Sequence, residues 1–251
     1  MNSPVLRISN LTHAFLGRDV LQDISLVVHA GEVVALVGPS GCGKSTLIHL
    51  AAGLLKQKSG RIERHFIRQA MVFQEPRLLP WLTAERNIAY AARLAGMTRK
   101  EACVAARAAA ARASFDAADL EKYPVELSGG MRQRVAIARA LVAAPDFIFF
   151  DEPFTALDAA LKRRMQDLVI AEAGSGRLTA LFVTHDLTEA ARIAHRVAIL
   201  DAEGRGILGQ RELPGQPGSR DEDQLYALTR AWQRDDPLFR HIHDVDERRI
   251  A

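Results

Sequence analysis

Hydrophobic and polar residues alternate along the N-terminal part of the chain. The segments 5–9, 11–15 and 24–28 have the period-two pattern of half-buried strands, and the turn-forming residues 17–19 separate the second segment from the third. This pattern predicts an antiparallel β-subdomain at the start of the chain.

Continuous apolar runs replace this alternation further along. They occupy residues 33–37, 147–150, 180–184 and 197–200. Such runs are typical of strands that are buried on both faces of a parallel sheet. A helical stretch precedes each of the last three runs, and this alternation of helices and strands is typical of an α/β core.

Residues 82–140 are rich in alanine and arginine, have high helix propensity and lack a strand pattern. We therefore predict an inserted α-helical subdomain. The predicted division of the chain is a core over 1–77 and 146–210, a helical subdomain over 78–145 and a C-terminal tail over 211–251.

Composition and charge argue against a membrane-spanning, an exported and a nucleic-acid-binding protein. The chain has 251 residues, with 33 basic and 30 acidic side chains and a net charge of +3, as in ordinary soluble proteins. No run is long and apolar enough for a membrane helix, and no export signal is evident, so we expect a cytosolic protein. Cys42 and Cys103 are expected to be reduced thiols. Basic residues are scattered rather than clustered with aromatics, which argues against nucleic acid as a partner.

A glycine-rich segment follows the first apolar run and precedes a helical stretch. It reads GPSGCGKST, with two glycines five positions apart followed by Lys and Ser. Its backbone N–H groups and the start of the following helix are suited to bind the phosphates of ATP. Lys44 is expected to contact the β- and γ-phosphates, and the Ser45 hydroxyl to bind Mg²⁺. The phosphate-binding loop comprises Gly38, Pro39, Ser40, Gly41, Cys42, Gly43, Lys44, Ser45 and Thr46.

Two adjacent carboxylates end the apolar run at 147–150. Asp151 is suited to hold Mg²⁺, directly or through water, and Glu152 to accept a proton from an attacking water. A solvated acidic loop is the alternative for an isolated pair, but it does not account for such a pair in a chain that also carries a phosphate loop. These motifs predict an α/β fold with a P-loop (RecA-like) parallel-sheet core, the antiparallel N-terminal subdomain and the inserted helical subdomain.

The segment LSGGMRQR at 127–134 resembles the signature motif of the ATP-binding subunits of ABC transporters. The resemblance extends over residues 4–210. It implies that Ser128, Gly129 and Gly130 bind the γ-phosphate of an ATP held by the opposite subunit of a homodimer, at the start of a helix.

Other motifs of that family follow in order, and the resemblance implies their roles. Phe15 matches the aromatic residue that stacks on adenine, although this family position is more often tyrosine. Gln74 matches the glutamine that contacts Mg²⁺ and the attacking water. Asp158 matches an aspartate of the subunit interface, and a helix N-cap is the alternative. His185 matches the histidine that contacts the γ-phosphate.

The resemblance also implies the partners and the cellular location. ATP-binding subunits of this family power transport through two separate transmembrane permease subunits, on the cytoplasmic face of the inner membrane, and importers add a solute-binding protein. The Tyr-Pro pair before the signature motif is similar to importers, and the LLPW segment at 78–81 is similar to subunits for nitrate, sulfonate and taurine uptake. We therefore expect an organosulfonate or a related oxyanion as the solute. Trp81 is expected either to line a groove for the permease or to lie in the core.

Other functions remain as alternatives. The chain could serve an importer of another small solute, or it could be an ABC ATPase that acts on DNA. A DNA-associated ATPase of this type needs long coiled coils or zinc modules, and we find neither pattern in the sequence. A metabolic P-loop kinase would lack the LSGGM segment, and a purely structural module would not explain Glu152 together with His185.

Overall fold

The computed structural model describes residues 3–174, 176, 178–239 and 242. The strands are β1 (Pro4–Phe15), β2 (Arg18–His29), β3 (Val33–Val37), β4 (Ser59–Arg64), β5 (Gln69–Val72), β6 (Phe147–Asp151), β7 (Thr179–Val183), β8 (Arg196–Leu200) and β9 (Ile207–Glu212). The α-helices are α1 (Lys44–Ala51), α2 (Ala84–Leu94), α3 (Arg99–Arg112), α4 (Gly129–Leu141), α5 (Ala159–Gly174), α6 (Leu187–Ile193) and α7 (Glu222–Asp235).

The described residues form two compact units. One is built from the segments Met1–Phe66 and Ala173–Ala251, and the other from Ile67–Glu172. The domain boundaries predicted from the sequence differ from the boundaries of these two units, and the predicted division of the chain stays a prediction.

The strands of the first unit lie in two sheets. In one, β1 lies between β2 and β4 and pairs antiparallel with both, as the alternating pattern predicts. In the other, β3 pairs parallel with β7 and β8, and β9 adds an antiparallel strand beside β8. Every residue of β3 and β7 is buried, because a parallel strand covered on both faces can expose no side chain.

The second unit combines two strands with helices. Strands β5 and β6 pair parallel, with Val72 beside Phe150. Helices α2, α3 and α4 pack against one another, and α4 also contacts β5. Side chains Thr83, Thr98 and Ser128 each accept a hydrogen bond from a backbone N–H in the first turn and so fix the starts of α2, α3 and α4. This confirms the helical content predicted for the alanine-rich segment.

Most strands lie where the apolar patterns predict them. Strands β3, β6, β7 and β8 match the four continuous runs to within one residue at either end. The two segments predicted at 5–9 and 11–15 instead form the single strand β1. Asn10 has a φ of 46° there, and the pairing register shifts between Ile8 and Leu11, so the interruption is a bulge and not a strand end.

The C-terminal region contains regular structure. Helix α7 lies within the predicted tail and packs against α6. The ring of Trp232 stacks on that of Phe239 with centroids 4.6 Å apart, and Arg211 on β9 pairs with Asp236 at 2.8 Å. Among the residues that the structure describes, no helix is long and apolar enough to cross a membrane.

Candidate functional site

The phosphate-binding loop connects β3 to α1 in the first unit. Gly43 is the N-cap of α1 and has a φ of 101°, a left-handed conformation that favours glycine. A Cβ at Gly43 would lie 2.7 Å from a methyl carbon of Leu21 and 3.2 Å from the Val20 carbonyl oxygen, so close packing also favours glycine at this position. The chain therefore turns sharply from a buried strand into a helix whose free N–H groups face the loop.

Lys44 is the first residue of α1, and its side chain lies within the loop. The residue is only 5% exposed, and its Nζ donates to the carbonyl oxygens of Gly38 and Pro39, each at 2.8 Å. No carboxylate among the described residues pairs with this ammonium group. The loop consequently holds a buried positive charge that an anion would neutralise.

Cys42 lies beside this lysine. Its Sγ is 4.0 Å from the Lys44 Nζ, and the residue is 2% exposed. Burial raises the pKa of the Cys42 thiol, and the nearby positive charge of Lys44 offsets only part of that rise. Cys42 is therefore a buried thiol rather than a reactive thiolate.

His185 follows β7 at the same sheet edge as the phosphate-binding loop. Leu36 in β3 pairs with Val183 in β7, and the Thr184 N–H donates to the Leu36 carbonyl at 3.3 Å. The His185 side chain is exposed. Since the carboxyl ends of parallel strands form the usual ligand-binding edge of an α/β sheet, the first unit brings the loop and His185 together where a ligand would bind.

Phe15 ends β1 and is 46% exposed. Its ring contacts the buried ring of His13 edge to face, with centroids 4.6 Å apart and an interplanar angle of 87°. An exposed aromatic ring at a strand end is available for stacking on a planar ligand such as a nucleobase.

Gln74 and the paired carboxylates lie at one edge of the second unit. Gln74 follows β5 and Asp151 ends β6, and the parallel pairing of Val72 with Phe150 brings the two strand ends side by side. Asp151 is 3% exposed. Glu152 has a φ of 46°, a strained conformation for this residue type and a feature often found at functional sites.

The signature residues start α4 in the second unit. The Ser128 hydroxyl accepts a hydrogen bond from the Met131 N–H at 3.2 Å and caps the helix. A Cβ at Gly130 would lie 3.2 Å from the Ala156 carbonyl oxygen, so the signature segment packs closely on the residues before Asp158. The Asp158 carboxylate accepts from the Leu161 N–H at 2.9 Å and so caps the start of α5, and its expected place at a subunit interface stays a prediction.

The profile of the ABC transporter family matches residues 21–155. The chain belongs to the ABC transporter family. As a member of this family of ATPases, it binds and hydrolyses ATP. The matched segment includes the phosphate-binding loop, the signature motif and the paired carboxylates.

Two curated relatives extend this similarity over most of the chain. One is the aliphatic sulfonates import ATP-binding protein SsuB 1 of Pseudomonas savastanoi pv. phaseolicola, which is 42% identical over 219 residues, 87% of this chain and 90% of that protein. Another is the aliphatic sulfonates import ATP-binding protein SsuB 1 of Xanthomonas axonopodis pv. citri. It is 37% identical over an alignment of 253 positions, which covers 98% of this chain and 99% of that protein.

A solved structure confirms the predicted fold class. The dimeric, post-hydrolysis structure of the ATP-binding cassette MJ0796, bound to ADP and Pi, superposes with a TM-score of 0.76 at 28% identity and covers 84% of this chain and 99% of that chain. The α/β core with its antiparallel subdomain and inserted helices is thus that of an ABC cassette.

Each unit offers an oxygen donor of a kind that fits a magnesium ion bound chiefly through nucleotide phosphates. Mg²⁺ commonly uses one or two protein oxygens together with substrate phosphates and water. Ser45 offers a hydroxyl at the start of α1, and Asp151 offers a buried carboxylate at the end of β6. The described residues contain no cluster of three or more His, Cys, Asp or Glu side chains suited to hold a metal by themselves.

Trp81 is 69% exposed, so it is not a core tryptophan. In the same unit, a cavity of about 390 Å³ is lined by apolar and basic side chains. They include Met71, Leu79, Tyr90, Leu94 and Arg139. Leu79 lies two residues before Trp81, so the exposed indole belongs to the segment that forms one wall of this cavity.

The sequence patterns assign no role to two polar side chains of α4 that reach the segment containing Gln74. Gln133 and Arg139 both donate to backbone carbonyls of residues 73–77. No local motif signals these contacts, because their acceptors are backbone atoms about 60 positions away in the sequence.

Proposed function

We propose that this chain is the ATP-hydrolysing subunit that powers import of an organosulfonate, such as taurine or an alkanesulfonate, through separate membrane subunits. The observation that carries the proposal is the similarity to relatives named as aliphatic sulfonate import ATP-binding proteins, which reaches 98% of this chain. The LLPW segment that ends at Trp81 supports the same solute class.

ATP would bind mainly through its phosphates. The Lys44 ammonium group would exchange its carbonyl partners for phosphate oxygens, and the N–H groups of the loop would bind the same anion. Ser45 and Asp151 would hold Mg²⁺, and this ion would neutralise charge on the phosphates. Phe15, partly exposed at the end of its strand, would stack on adenine.

Hydrolysis would depend on Glu152 as general base. A carboxylate next to the metal-binding aspartate can accept the proton of the attacking water, a contribution of typically about 10² to 10⁴ in rate. His185 would contact the γ-phosphate, and Gln74 would contact Mg²⁺ and orient the water. Each of these side chains lies at or just after the carboxyl end of a parallel strand.

Two copies of the chain would form a head-to-tail dimer. In it, each signature segment of Ser128, Gly129 and Gly130 would bind the γ-phosphate of the ATP held by the opposite copy, and Asp158 would lie at the interface. Support comes from the dimeric ABC cassettes that share this fold. Hydrolysis would then separate the two copies.

The proposed complex contains two permease subunits and a solute-binding protein. The ATPase would bind the permease at the cytoplasmic face of the inner membrane, as a peripheral subunit. The cavity beside the segment of Trp81 would receive a short helix of the permease, because it combines apolar walls with an exposed indole. Solute choice would reside in the permease and the solute-binding protein.

Growth of a strain that lacks this gene tests the proposal. Taurine, alkanesulfonates or sulfate would be the sole sulfur source, and nitrate in separate cultures the sole nitrogen source. We expect a defect on sulfonates alone, rescued by the wild type and not by Glu152→Gln. A defect on nitrate would reassign the solute, and normal growth on sulfonates in a strain without a second sulfonate transporter would contradict the proposal.

A further inference from the structure

The signature helix α4 holds the backbone of the segment that carries Gln74. The Gln133 side chain is 1% exposed, and its Nε2 donates to the carbonyl oxygen of Phe73 at 3.2 Å. Phe73 directly precedes Gln74. Six residues further along α4, Arg139 donates from Nη2 to the Pro76 carbonyl at 2.8 Å and from Nη1 to the Arg77 carbonyl at 2.9 Å.

Burial of the Arg139 guanidinium has a desolvation cost, which its hydrogen bonds to the two carbonyl groups offset. Burial lowers the pKa of Arg139, and no carboxylate among the described residues pairs with its guanidinium. A guanidinium presents a rigid fork of donors, and here the fork spans two consecutive carbonyl groups. Arg139 therefore fixes the direction of the backbone on the carboxyl side of Gln74, as Gln133 does on the amino side.

The segment between these anchors is a tight bend. Arg77 has a φ of 44°, and its guanidinium lies over the Phe73 ring, 4.2 Å from the centroid. The bend thus closes on itself around Gln74, and α4 holds the carbonyl groups at both of its ends. Displacement of the bend would require the breaking of three hydrogen bonds.

We propose that Arg139, together with Gln133, is a positioning residue that holds Gln74 in place for hydrolysis. This inference rests on the proposed role of Gln74 in contacting Mg²⁺ and the attacking water. Because the anchors belong to the signature helix, any movement of α4 is transmitted to Gln74 through backbone carbonyls.

An indirect effect through the signature residues is a competing explanation. Arg139 lies 11 residues after Ser128, which corresponds to about 16 Å along the helix axis at 1.5 Å per residue. Arg139 is thus far from the start of α4 and close to the bend. A double-mutant cycle with Gln74 separates the two explanations, since only residues that act together give non-additive effects.

The experiment measures kcat and KM for ATP hydrolysis by the purified chain at saturating Mg²⁺. Arg139→Lys retains the charge but cannot bridge both carbonyls, and Gln133→Met removes the donor to Phe73 at similar volume. We expect each variant to lower kcat about three- to tenfold, with KM for ATP changed less than about twofold. In a Gln74→Ala background, the same substitutions should lower kcat less than about twofold further.

Arg64→Lys is the matched control. Arg64 also donates to two consecutive backbone carbonyls, those of Leu50 and Ala51, at 2.7 and 2.6 Å, and burial lowers its pKa as well. Its contacts involve the end of α1 and not the Gln74 segment, so kcat should stay within about twofold of the wild type. An equal loss of kcat in Arg64→Lys would overturn the inference.

The remaining outcomes separate this inference from the proposed function. A reduced kcat in Gln74→Ala with a full additional loss from Arg139→Lys would overturn the positioning role alone. Wild-type kcat in Gln74→Ala would remove the proposed role of Gln74 and the positioning role with it. If Arg139→Lys has a lowered melting temperature, the double-mutant cycle of Gln133→Met with Gln74→Ala decides. Gln133→Met is the milder substitution for folding, because it also removes a buried amide oxygen that has no hydrogen-bond partner among the described residues.

Discussion

The Nζ of Lys44 lies 2.8 Å from the carbonyl oxygen of Gly38. This contact closes the phosphate-binding loop on itself, because Gly38 directly follows β3 and Lys44, six positions later, begins α1. A buried ammonium group whose closest partners are carbonyl dipoles is stabilised further when anionic oxygens take their place. The loop is therefore pre-organised for phosphate.

Replacement of this lysine should weaken nucleotide binding. Hydrogen bonds to charged groups are worth more than neutral ones, so Lys44→Ala should raise the Kd for ATP about 10- to 100-fold. The measurement is titration calorimetry with ATP. Lys58→Ala is the control, since Lys58 is exposed on the same unit and pairs with Asp19 at 3.4 Å. An unchanged Kd in Lys44→Ala would count against the assigned site.

Glu152→Gln should separate binding from hydrolysis. The amide is nearly isosteric with the carboxylate but cannot accept the proton of water, so kcat should fall about 10² to 10⁴-fold while the Kd for ATP stays within about threefold. In the proposed mechanism, such a variant also accumulates as an ATP-bound dimer. Phosphate release and size-exclusion chromatography with ATP provide the two measurements.

A second Glu→Gln substitution, far from the proposed base, controls for the loss of one negative charge in Glu152→Gln. Glu121 is an exposed glutamate of the same unit, and Glu121→Gln should hydrolyse ATP at the wild-type rate. If Glu152→Gln does so too, Glu152 is not the general base, and another group must accept the proton.

The two cysteines should differ in reactivity. Burial raises the pKa of the Cys42 thiol and limits access to it, whereas Cys103 is only partly buried. The thiolate is the reactive form, so iodoacetamide at pH 7.5 should label Cys103 first. Labelling of Cys42 should be slow and should keep accelerating as the pH rises above 9, because its folded-state pKa lies above the ordinary value. Mass spectrometry of peptides at timed intervals measures both rates.

A simple result would contradict this account of the thiols. Faster labelling of Cys42 than of Cys103 at pH 7.5 would mean that the loop opens often enough to expose its sulfur. The variant Cys103→Ser provides the control, because it isolates the Cys42 signal without altering the phosphate-binding loop.

The sequence predicts the parts of the fold whose signal is local. The run at 33–37 and the glycine-rich segment after it identify β3 and the phosphate-binding loop, because both depend on residue types at fixed spacing. Strand β4 was not predicted, since its residues SGRIER show neither alternation nor an apolar run and it is held by pairing with β1. Tertiary contacts of this kind override the weak strand propensity of the β4 residues.

The candidate site was predictable to the same extent. The phosphate-binding loop, the paired carboxylates and His185 belong to sequence motifs, so their residues could be identified from the sequence alone. The anchors Gln133 and Arg139 could not, because a hydrogen bond to a distant backbone carbonyl leaves no pattern in residue types. The sequence also did not predict whether Trp81 is exposed, because a tryptophan in the apolar LLPW segment could lie either in a core or at the edge of a groove.

Trp81→Ala tests the surface that is proposed to bind the permease. Since the indole is 69% exposed, its removal should leave the melting temperature and the Kd for ATP unchanged. Exposed aromatic residues contribute strongly to protein interfaces, so solute uptake by the reconstituted transporter should fall about tenfold or more while ATP binding persists.

The control for Trp81→Ala is an exposed aromatic residue of the other unit. Tyr226 on α7 is 64% exposed, and Tyr226→Ala should leave uptake at the wild-type level. Uptake and ATP hydrolysis are measured together in vesicles, because a lost contact with the permease must lower uptake per ATP hydrolysed. Normal uptake by Trp81→Ala would show that the indole does not transmit movement to the permease, and the cavity lined by Leu79 and Tyr90 would then have to bind its partner without it.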